Sequence, residues 1–317
     1  MATYLGIEIG GTKLQLGVGR GDGPSLIELL RLDVDRTAGA EGIRRQIEQA
    51  AKPLVERHGI AAIGIGFGGP VHAKTGHTVT SHQIDGWDDF PLTDWCRDVF
   101  GLPGVLANDT DAGGLAEARF GAGRGKKVVF YTNVGSGIGG ALIVDDRIFC
   151  DGERVTAELG HLRPGIDAES PKQTVESLAS GWAISDAARK ELRSGPLANS
   201  NDAADLLKRC NGNVDLLTTV HLSKAAAEGN AIALAAFGRA CRVFGWAIAQ
   251  MITLLAPDVV VVGGGVACSG ETVFLSPLRK EIDRYVFPPQ LGQFEVVQAA
   301  LGEEMVVHGA IALAAGL

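Results

Sequence analysis

The stretch Asn133-Val134-Gly135-Ser136-Gly137-Ile138-Gly139-Gly140 carries GxGxxG spacing from Gly135 to Gly140, and the residues after it decide the fold. A dinucleotide fingerprint needs a helix to begin at these glycines, with the pyrophosphate on the helix N-terminus. The next residues are Ala141-Leu142-Ile143-Val144-Asp145-Asp146, an apolar strand. The dinucleotide reading therefore fails, and no Gly-Lys-Ser/Thr supports a Walker-type loop. The run reads as a hairpin, with strands from Lys127 to Asn133 and from Gly139 to Asp145. Successive glycine N–H groups in such a turn can converge on an anion, which makes Gly135, Ser136 and Gly137 candidate phosphate ligands.

The chain opens in the same way. Thr3 to Ile9 reads as a strand, Gly10-Gly11 breaks it, and Lys13 to Val18 reads as the return strand. Gly10, Gly11 and Thr12 offer N–H groups and a hydroxyl to an anion, with Lys13 beside them. Taken alone, the turn is equally well explained as a tight hairpin. Gly10 and Gly135 stand at equivalent points of two hairpins 125 positions apart, which suggests an internal duplication. A third cluster, Gly263-Gly264-Gly265, ends the apolar strand Asp258 to Val262. It suits close passage of an adenosine moiety, or simply a strand-to-helix turn.

Between the hairpins, a helix is predicted over Ala40 to His58, with Ile43, Ile47, Ala50, Ala51, Leu54 and Val55 on one face. A buried strand from Ala61 to Gly66 runs into the loop Phe67-Gly68-Gly69-Pro70, and Gly104 to Ala107 is another short strand. Asn108-Asp109 come directly after it, ahead of a helix from Thr110 to Gly121. Asp109 fits two readings at this junction: part of a helix N-cap pair, or a carboxylate that takes a hydroxyl proton during phosphoryl transfer. Asp111 reads as a cap or a surface charge. Glu158-Leu159-Gly160-His161 and Glu176-Ser177 supply the acceptors and donor that polyol recognition needs. His72, His77 and His82 recur every five residues, match no helical or strand face, and read as surface residues. Lys190 to Asn230 is helical and polar with no legible chemistry, Ala231 to Leu255 is a long apolar helix, and Met305 to Ala315 is a helix expected to pack back on the first lobe.

The totals narrow the function classes. A chain of 317 residues has room for two domains and a cleft between lobes. Hydrophobic residues at 46% and charged residues at 21% fit a globular protein. A net charge of −8 with no basic block makes nucleic acid or an anionic membrane surface a poor partner. The five scattered cysteines show no CxxC pair, so neither a disulfide framework nor a zinc ribbon is indicated. The opening MATYLGIEIGGTK has no charged leader, and no run of about 18 uninterrupted apolar residues suggests a membrane span. A cytoplasmic protein is expected.

Together these motifs resemble the ROK family (repressors, open reading frames and sugar kinases), especially its glucokinase-like members. The pieces that carry the resemblance are GIEIGGTK, ANDTDAGGLAEARFGAG, NVGSGIGGALI, AELGHLRPG, TVESLASG and VVVGGGVA, which span essentially the whole chain. The resemblance implies an α/β protein made of two RNase H-like lobes of the actin/hexokinase/Hsp70 ATPase fold, closing an interlobe cleft on ATP and a hexose. It implies a small lobe over 1–120 joined by the helix 305–317, and a large lobe over 121–304. Asp109 would be the base, and Gly69, Asn108, Glu158, His161 and Glu176 would hold the sugar. The two hairpins would hold phosphates, Gly263 to Gly265 the adenosine side, and Glu8 would take part in handling Mg²⁺. Family precedent also implies a homodimer.

The chain departs from the family pattern at three places. Glu8 stands where Asp is usual, and Gln83 stands where Asn precedes a Gly-Trp pair (SHQIDGW). No cysteine occurs over 162–175, where many members carry a zinc motif, so no zinc is expected and His161 is left to the sugar. The expected reaction is ATP-dependent phosphorylation of a hexose, glucose at its 6-hydroxyl foremost. Fructose, mannose or an N-acetylated hexosamine as acceptor, and polyphosphate as donor, are the alternatives. A sugar-responsive regulator is disfavoured by acidity and by a hairpin that begins by residue 4, because family repressors place a DNA-binding domain ahead of it. An ATPase acting through conformation alone would not need Glu158, His161 and Glu176.

Overall fold

The computed structural model describes residues 2–81, 83–165, 170 and 172–317, so His82 and part of the cysteine-free stretch 162–175 lie outside the described residues. In chain order, β1 (Thr3–Ile9), β2 (Lys13–Gly19) and β3 (Leu26–Asp33) precede α1 (Gly39–His58), β4 (Ile60–Phe67), β5 (Val71–His72) and β6 (His77–Thr78). Then come α2 (Leu92–Phe100), β7 (Gly104–Asn108), α3 (Asp109–Phe120), β8 (Val128–Val134), β9 (Ile138–Val144) and β10 (Arg147–Ile148). The rest is α4 (Val175–Ala179), α5 (Gly181–Ser194), α6 (Asn201–Arg209), α7 (Thr219–Ala227), α8 (Ala231–Leu255), β11 (Val259–Gly263), α9 (Ser276–Tyr285), β12 (Glu295–Gln298) and α10 (Met305–Ala314).

The first five-stranded sheet has the order β3-β2-β1-β4-β7. Its first three strands pair antiparallel, and β4 and β7 add on parallel to β1. The second sheet, β10-β9-β8-β11-β12, repeats that order position for position. Its outer pairs repeat the directions too, β9–β10 antiparallel and β11–β12 parallel. This is the RNase H-like order, present twice, and the two glycine turns sit at the same place in each copy.

By packing, the chain forms two compact units. One comprises Met1–Tyr131, Ala141–Ala157 and Ala299–Leu317, the other Thr132–Gly140 and Glu158–Gln298. In the first, β1 is buried from Leu5 to Ile9, as a strand covered on both faces must be. α1 lays Ile43, Ile47, Ala51 and Leu54 on the sheet and ends at Gly59, which takes the left-handed conformation at φ 58°. α10 packs on β1, β4 and α3. The approach is so close that a Cβ at Gly64 of β4 would overlap the Ala310 carbonyl, which is why the sequence has glycine there.

In the second unit, α8 is long and apolar enough by length and composition to cross a membrane. It is packed as a core helix against α4, α5, α7 and α9, and its Phe244 stacks on Phe274 with centroids 6.3 Å apart. One expectation is corrected by packing. His72 and His77 do share a strand feature: they are register partners in the short β5–β6 pair, and His77 Nδ1 lies 2.9 Å from Asp89 Oδ1. The polar segment 190–230, expected to be helical and with no legible chemistry, folds into the end of α5, α6 and α7, and α7 lines a cavity.

Candidate active site

In the first unit, the β1–β2 turn is closed by Gly10 N–H donating to Lys13 O at 3.0 Å. Its other carbonyls are also occupied: Ile9 O accepts from Gly68 N, Thr12 O from Val34 N, and Gly11 O from Arg36 Nε at 2.7 Å. With its acceptors satisfied inside the protein, the turn is left to present N–H groups, the arrangement an anion needs. Glu8 sits at the end of β1 and is 9% exposed. It accepts from Gln15 Nε2 at 2.7 Å and pairs with Lys13 Nζ at 3.4 Å. Burial pushes its carboxyl above the usual range; Lys13 and Gln15 oppose the shift, and the Asp109 charge adds to it. Lys13 is thus drawn to Glu8 and to the Glu303 carbonyl.

The β7–α3 junction separates the two roles that the sequence left open. Asn108 is the N-cap: its Oδ1 accepts from Thr110 N at 2.9 Å and Asp111 N at 3.3 Å. Its Nδ2 donates to Gly69 O at 3.0 Å, joining two residues expected at the sugar. Asp109 is the first residue of α3, at the positive end of the helix dipole, with Oδ1 accepting from Thr110 N at 2.7 Å. Its charge is felt by Glu8 and by Tyr131, whose hydroxyl is pushed upward in pKa by burial first, then by Glu117 and Asp109. Glu117, on the same helix and fully buried, accepts from the N–H groups of Ala122, Ala300 and Leu301. The sequence assigned Glu117 no role, because its donors Ala300 and Leu301 come from a distant segment and leave no local pattern.

Mg²⁺ takes oxygen donors and keeps several waters, so it needs one or two carboxylates plus substrate phosphates. Glu8 supplies one carboxylate, and the Asp109 charge is close enough to be felt by it. Gln15 Oε1 is buried without a hydrogen-bond partner, on the side chain that already bonds Glu8, and can accept from a cation-bound water. The donor set fits a hydrated magnesium ion. Among the described residues there is no group of three or more His, Cys, Asp or Glu that could hold a metal on its own.

In the second unit, the β8–β9 turn is closed by Gly135 N–H donating to Gly137 O at 2.8 Å. Glu176 Oε2 accepts from Ile138 N at 2.8 Å, and Asn133 Oδ1 from Gly139 N at 2.8 Å. Glu158 and His161, three positions apart in the chain, come near Glu176 of α4 here. His161 Nε2 lies 3.8 Å from Glu158 Oε2. Although 46% of the Glu158 side chain is exposed, loss of water around its carboxyl pushes the pKa up, with His161 opposing and Glu176 reinforcing.

A cavity of about 690 Å³ opens beside this turn, within the usual range for a small-molecule site. Gly135 and Ser136 form one edge, and Gly265, Val266, Cys268 and Ser269 form another. The glycine triplet divides its work. Gly263 ends β11. Gly264, at φ 87°, passes so close to β8 that a Cβ would lie 2.5 Å from Val134 O, and Gly265 lines the cavity. The remaining wall was not legible in the sequence: Gly181, Trp182, Ser185 and Arg189 of α5, with Thr218 and Thr219, Val220, Ser223 and Lys224 of α7. Gly181 N–H donates to Gly135 O at 2.7 Å, tying the N-terminus of α5 to the turn, and Ser185 and Thr219 join the helices at 2.9 Å.

Known proteins resemble this chain in sequence and fold. The ROK family model matches residues 4–316. A glucokinase of Thermotoga maritima is 29% identical over 98% of this chain and 96% of its own length. One from Streptomyces coelicolor is 30% identical over 99% of this chain and 98% of its own. The crystal structure of a ROK family glucokinase from Streptomyces griseus, in complex with glucose and AMPPNP, superposes with a TM-score of 0.83 at 31% identity, covering 100% of both chains. With the actin/hexokinase-like ATPase fold established and both glycine hairpins in place, the chain belongs to the ROK family, as one of its sugar kinases.

Proposed function

We propose that this kinase transfers the γ-phosphoryl group of ATP to the 6-hydroxyl of glucose. The observation that carries the reading is the grouping of Glu158, His161 and Glu176 beside the β8–β9 turn, because a phosphate site alone would not require a polyol-binding set. Glu158 and His161, with Asn108 and Gly69, bind and orient the sugar hydroxyls. Asp109 accepts the hydroxyl proton as that oxygen attacks the γ-phosphorus and ADP leaves. The N–H groups of Gly11 and Thr12 and of Ser136 and Gly137, rather than those of Gly10 and Gly135 that close the turns, hold phosphate oxygens, and the cavity walled by α5, α7 and Gly265 takes the nucleoside. Magnesium held at Glu8 would offset negative charge on the phosphates. The glucokinase names of the relatives and the glucose and AMPPNP bound in the Streptomyces griseus structure support this choice.

The proposal extends to the lobes 1–120 with 305–317 and 121–304 as the working parts, to a homodimer, and to a reducing cytoplasm, where the five free cysteines stay reduced. The test is a coupled kinase assay over glucose, fructose, mannose and N-acetylated hexosamines, with ATP or polyphosphate as donor and with or without Mg²⁺. Glucose with MgATP is expected to give the highest kcat/KM. Preference for another sugar would sink the glucose assignment, and preference for polyphosphate would sink the donor assignment.

A further inference from the structure

We infer that Arg36, rather than Lys13, is the cation that the first hairpin presents to the phosphoryl group in transfer, an inference that rests on the kinase reading above. Lys13 is the residue that the sequence motif suggests for this task. Its ammonium lies 3.4 Å from Glu8 Oε1 and 3.4 Å from the Glu303 carbonyl, so its charge is spent on a neighbouring carboxylate. Arg36 stands on the other side of the same turn. It opens the short 3-10 turn Arg36–Ala38, which Asp35 caps by accepting from Thr37 N.

From there Arg36 Nε donates to Gly11 O at 2.7 Å, and Nη2 donates to Gln83 Oε1 at 3.4 Å. The Gln83 amide itself lies on Gly11, where a Cβ would overlap it. The guanidinium is therefore held against the phosphate turn by two acceptors of that turn's surroundings, and it remains exposed to solvent. A guanidinium carries five N–H donors in a planar fork suited to phosphate oxygens, and these two bonds use only part of it.

The second hairpin gives an independent parallel. One of its turn carbonyls, Gly135 O, is held by Gly181 N–H at the positive end of α5, and Gly181 also lines the cavity beside Gly135 and Ser136. In each half of the duplicated fold, a positive group occupies a turn carbonyl and so leaves the turn's N–H groups for an anion. In the second half that group is a helix N-terminus; in the first it is Arg36.

The competing role for Arg36 is a strut that only fixes Gly11 and Gln83. R36A and R36K separate the two when the donor kcat/KM, its dependence on salt, the AMPPNP dissociation constant and the sugar dissociation constant measured without donor are compared with wild type. Loss of a phosphate donor is expected to lower the donor kcat/KM roughly tenfold to a hundredfold. AMPPNP should bind more weakly, the salt dependence should flatten, and sugar affinity should stay within about twofold. R36K should keep the salt dependence and recover part of the rate, since it keeps the charge and loses the fork.

Unchanged donor kcat/KM and AMPPNP affinity in R36A would overturn the inference. So would a loss of sugar affinity as large as the loss of donor efficiency, which is what a strut predicts. Should R36A fail to fold, R36Q and R36K carry the same comparison. If wild type phosphorylates no sugar, the kinase reading fails on its own, while the AMPPNP comparison still decides whether Arg36 meets the phosphates.

Discussion

The base proposed above, Asp109, stands one residue after Asn108, which caps α3. Asn108 accepts from two helix N–H groups, and Asp109 Oδ1 also accepts from Thr110 N. Placed one residue later, it gains the field of the helix N-terminus and the company of Glu8. Asp109→Asn keeps the size and removes the base, so kcat is expected to fall by about 10²–10⁴-fold with sugar binding retained. Steady-state rates and an equilibrium sugar titration check this, and near-normal turnover would refute the assignment. Glu158 sets a pH dependence. Its pKa is raised, so on acidification it protonates earlier than an ordinary glutamate, and only the ionised form, above that pKa, accepts from two hydroxyls at once. The sugar kcat/KM is therefore expected to fall as pH drops through a range above the usual carboxylate value. Glu158→Gln should lower kcat/KM at neutral pH and move that limb to lower pH, as a pH–rate profile would show.

At the scale of elements, both hairpins work because glycine lets backbone come close to backbone. Gly264 is the clearest case: its φ of 87° and its contact with Val134 hold β11's exit against the phosphate-turn strand. Gly264→Ala combines an unfavourable left-handed conformation with a clash, at a cost of about 2–5 kcal/mol. A lowered thermal midpoint and weaker AMPPNP binding are the expected readouts, with sugar affinity less affected. α3 is the other element with a double task. Its first residue is Asp109, and Glu117 two turns later clasps Ala300 and Leu301, just before α10, so the helix that carries the base is bound to the end of the chain. These elements were legible because hairpins and helices announce themselves within about ten residues: β1, α8 and the Asn108-Asp109 junction need only local pattern. Short β12 and the β5–β6 pair gave too few residues for any period to show.

At the scale of the whole molecule, the last helix completes the first unit's core. Val306, Val307 and Ile311 of α10 are buried against β1, β2 and β4. At about 1.5–3 kcal/mol for each buried side chain, these three alone approach the lower end of a typical folding stability of about 5–15 kcal/mol. A chain ending at residue 304 is therefore expected to lose cooperative folding of the first unit, seen as loss of soluble protein or of a sharp circular-dichroism melt. A normal melt would show that the sheet is stable without that cover.

The sequence by itself determined the two glycine hairpins, their repetition, the placement of Asp109 at a strand-to-helix junction and the polar set of Glu158, His161 and Glu176. Each depends on residues close together in the chain, where turn chemistry and periodicity act. Only the tertiary structure decided that Asn108 is the cap, that Lys13 pairs with Glu8 while Arg36 reaches Gly11, and that α5 and α7 wall a cavity beside the β8–β9 turn. The Arg36–Gly11 bond and the cavity wall join groups tens of residues apart, while the Asn108 cap and the Lys13–Glu8 pair are local but turn on side-chain conformation. Hydrogen-bond partners and burial decide there, and neither is written in local pattern.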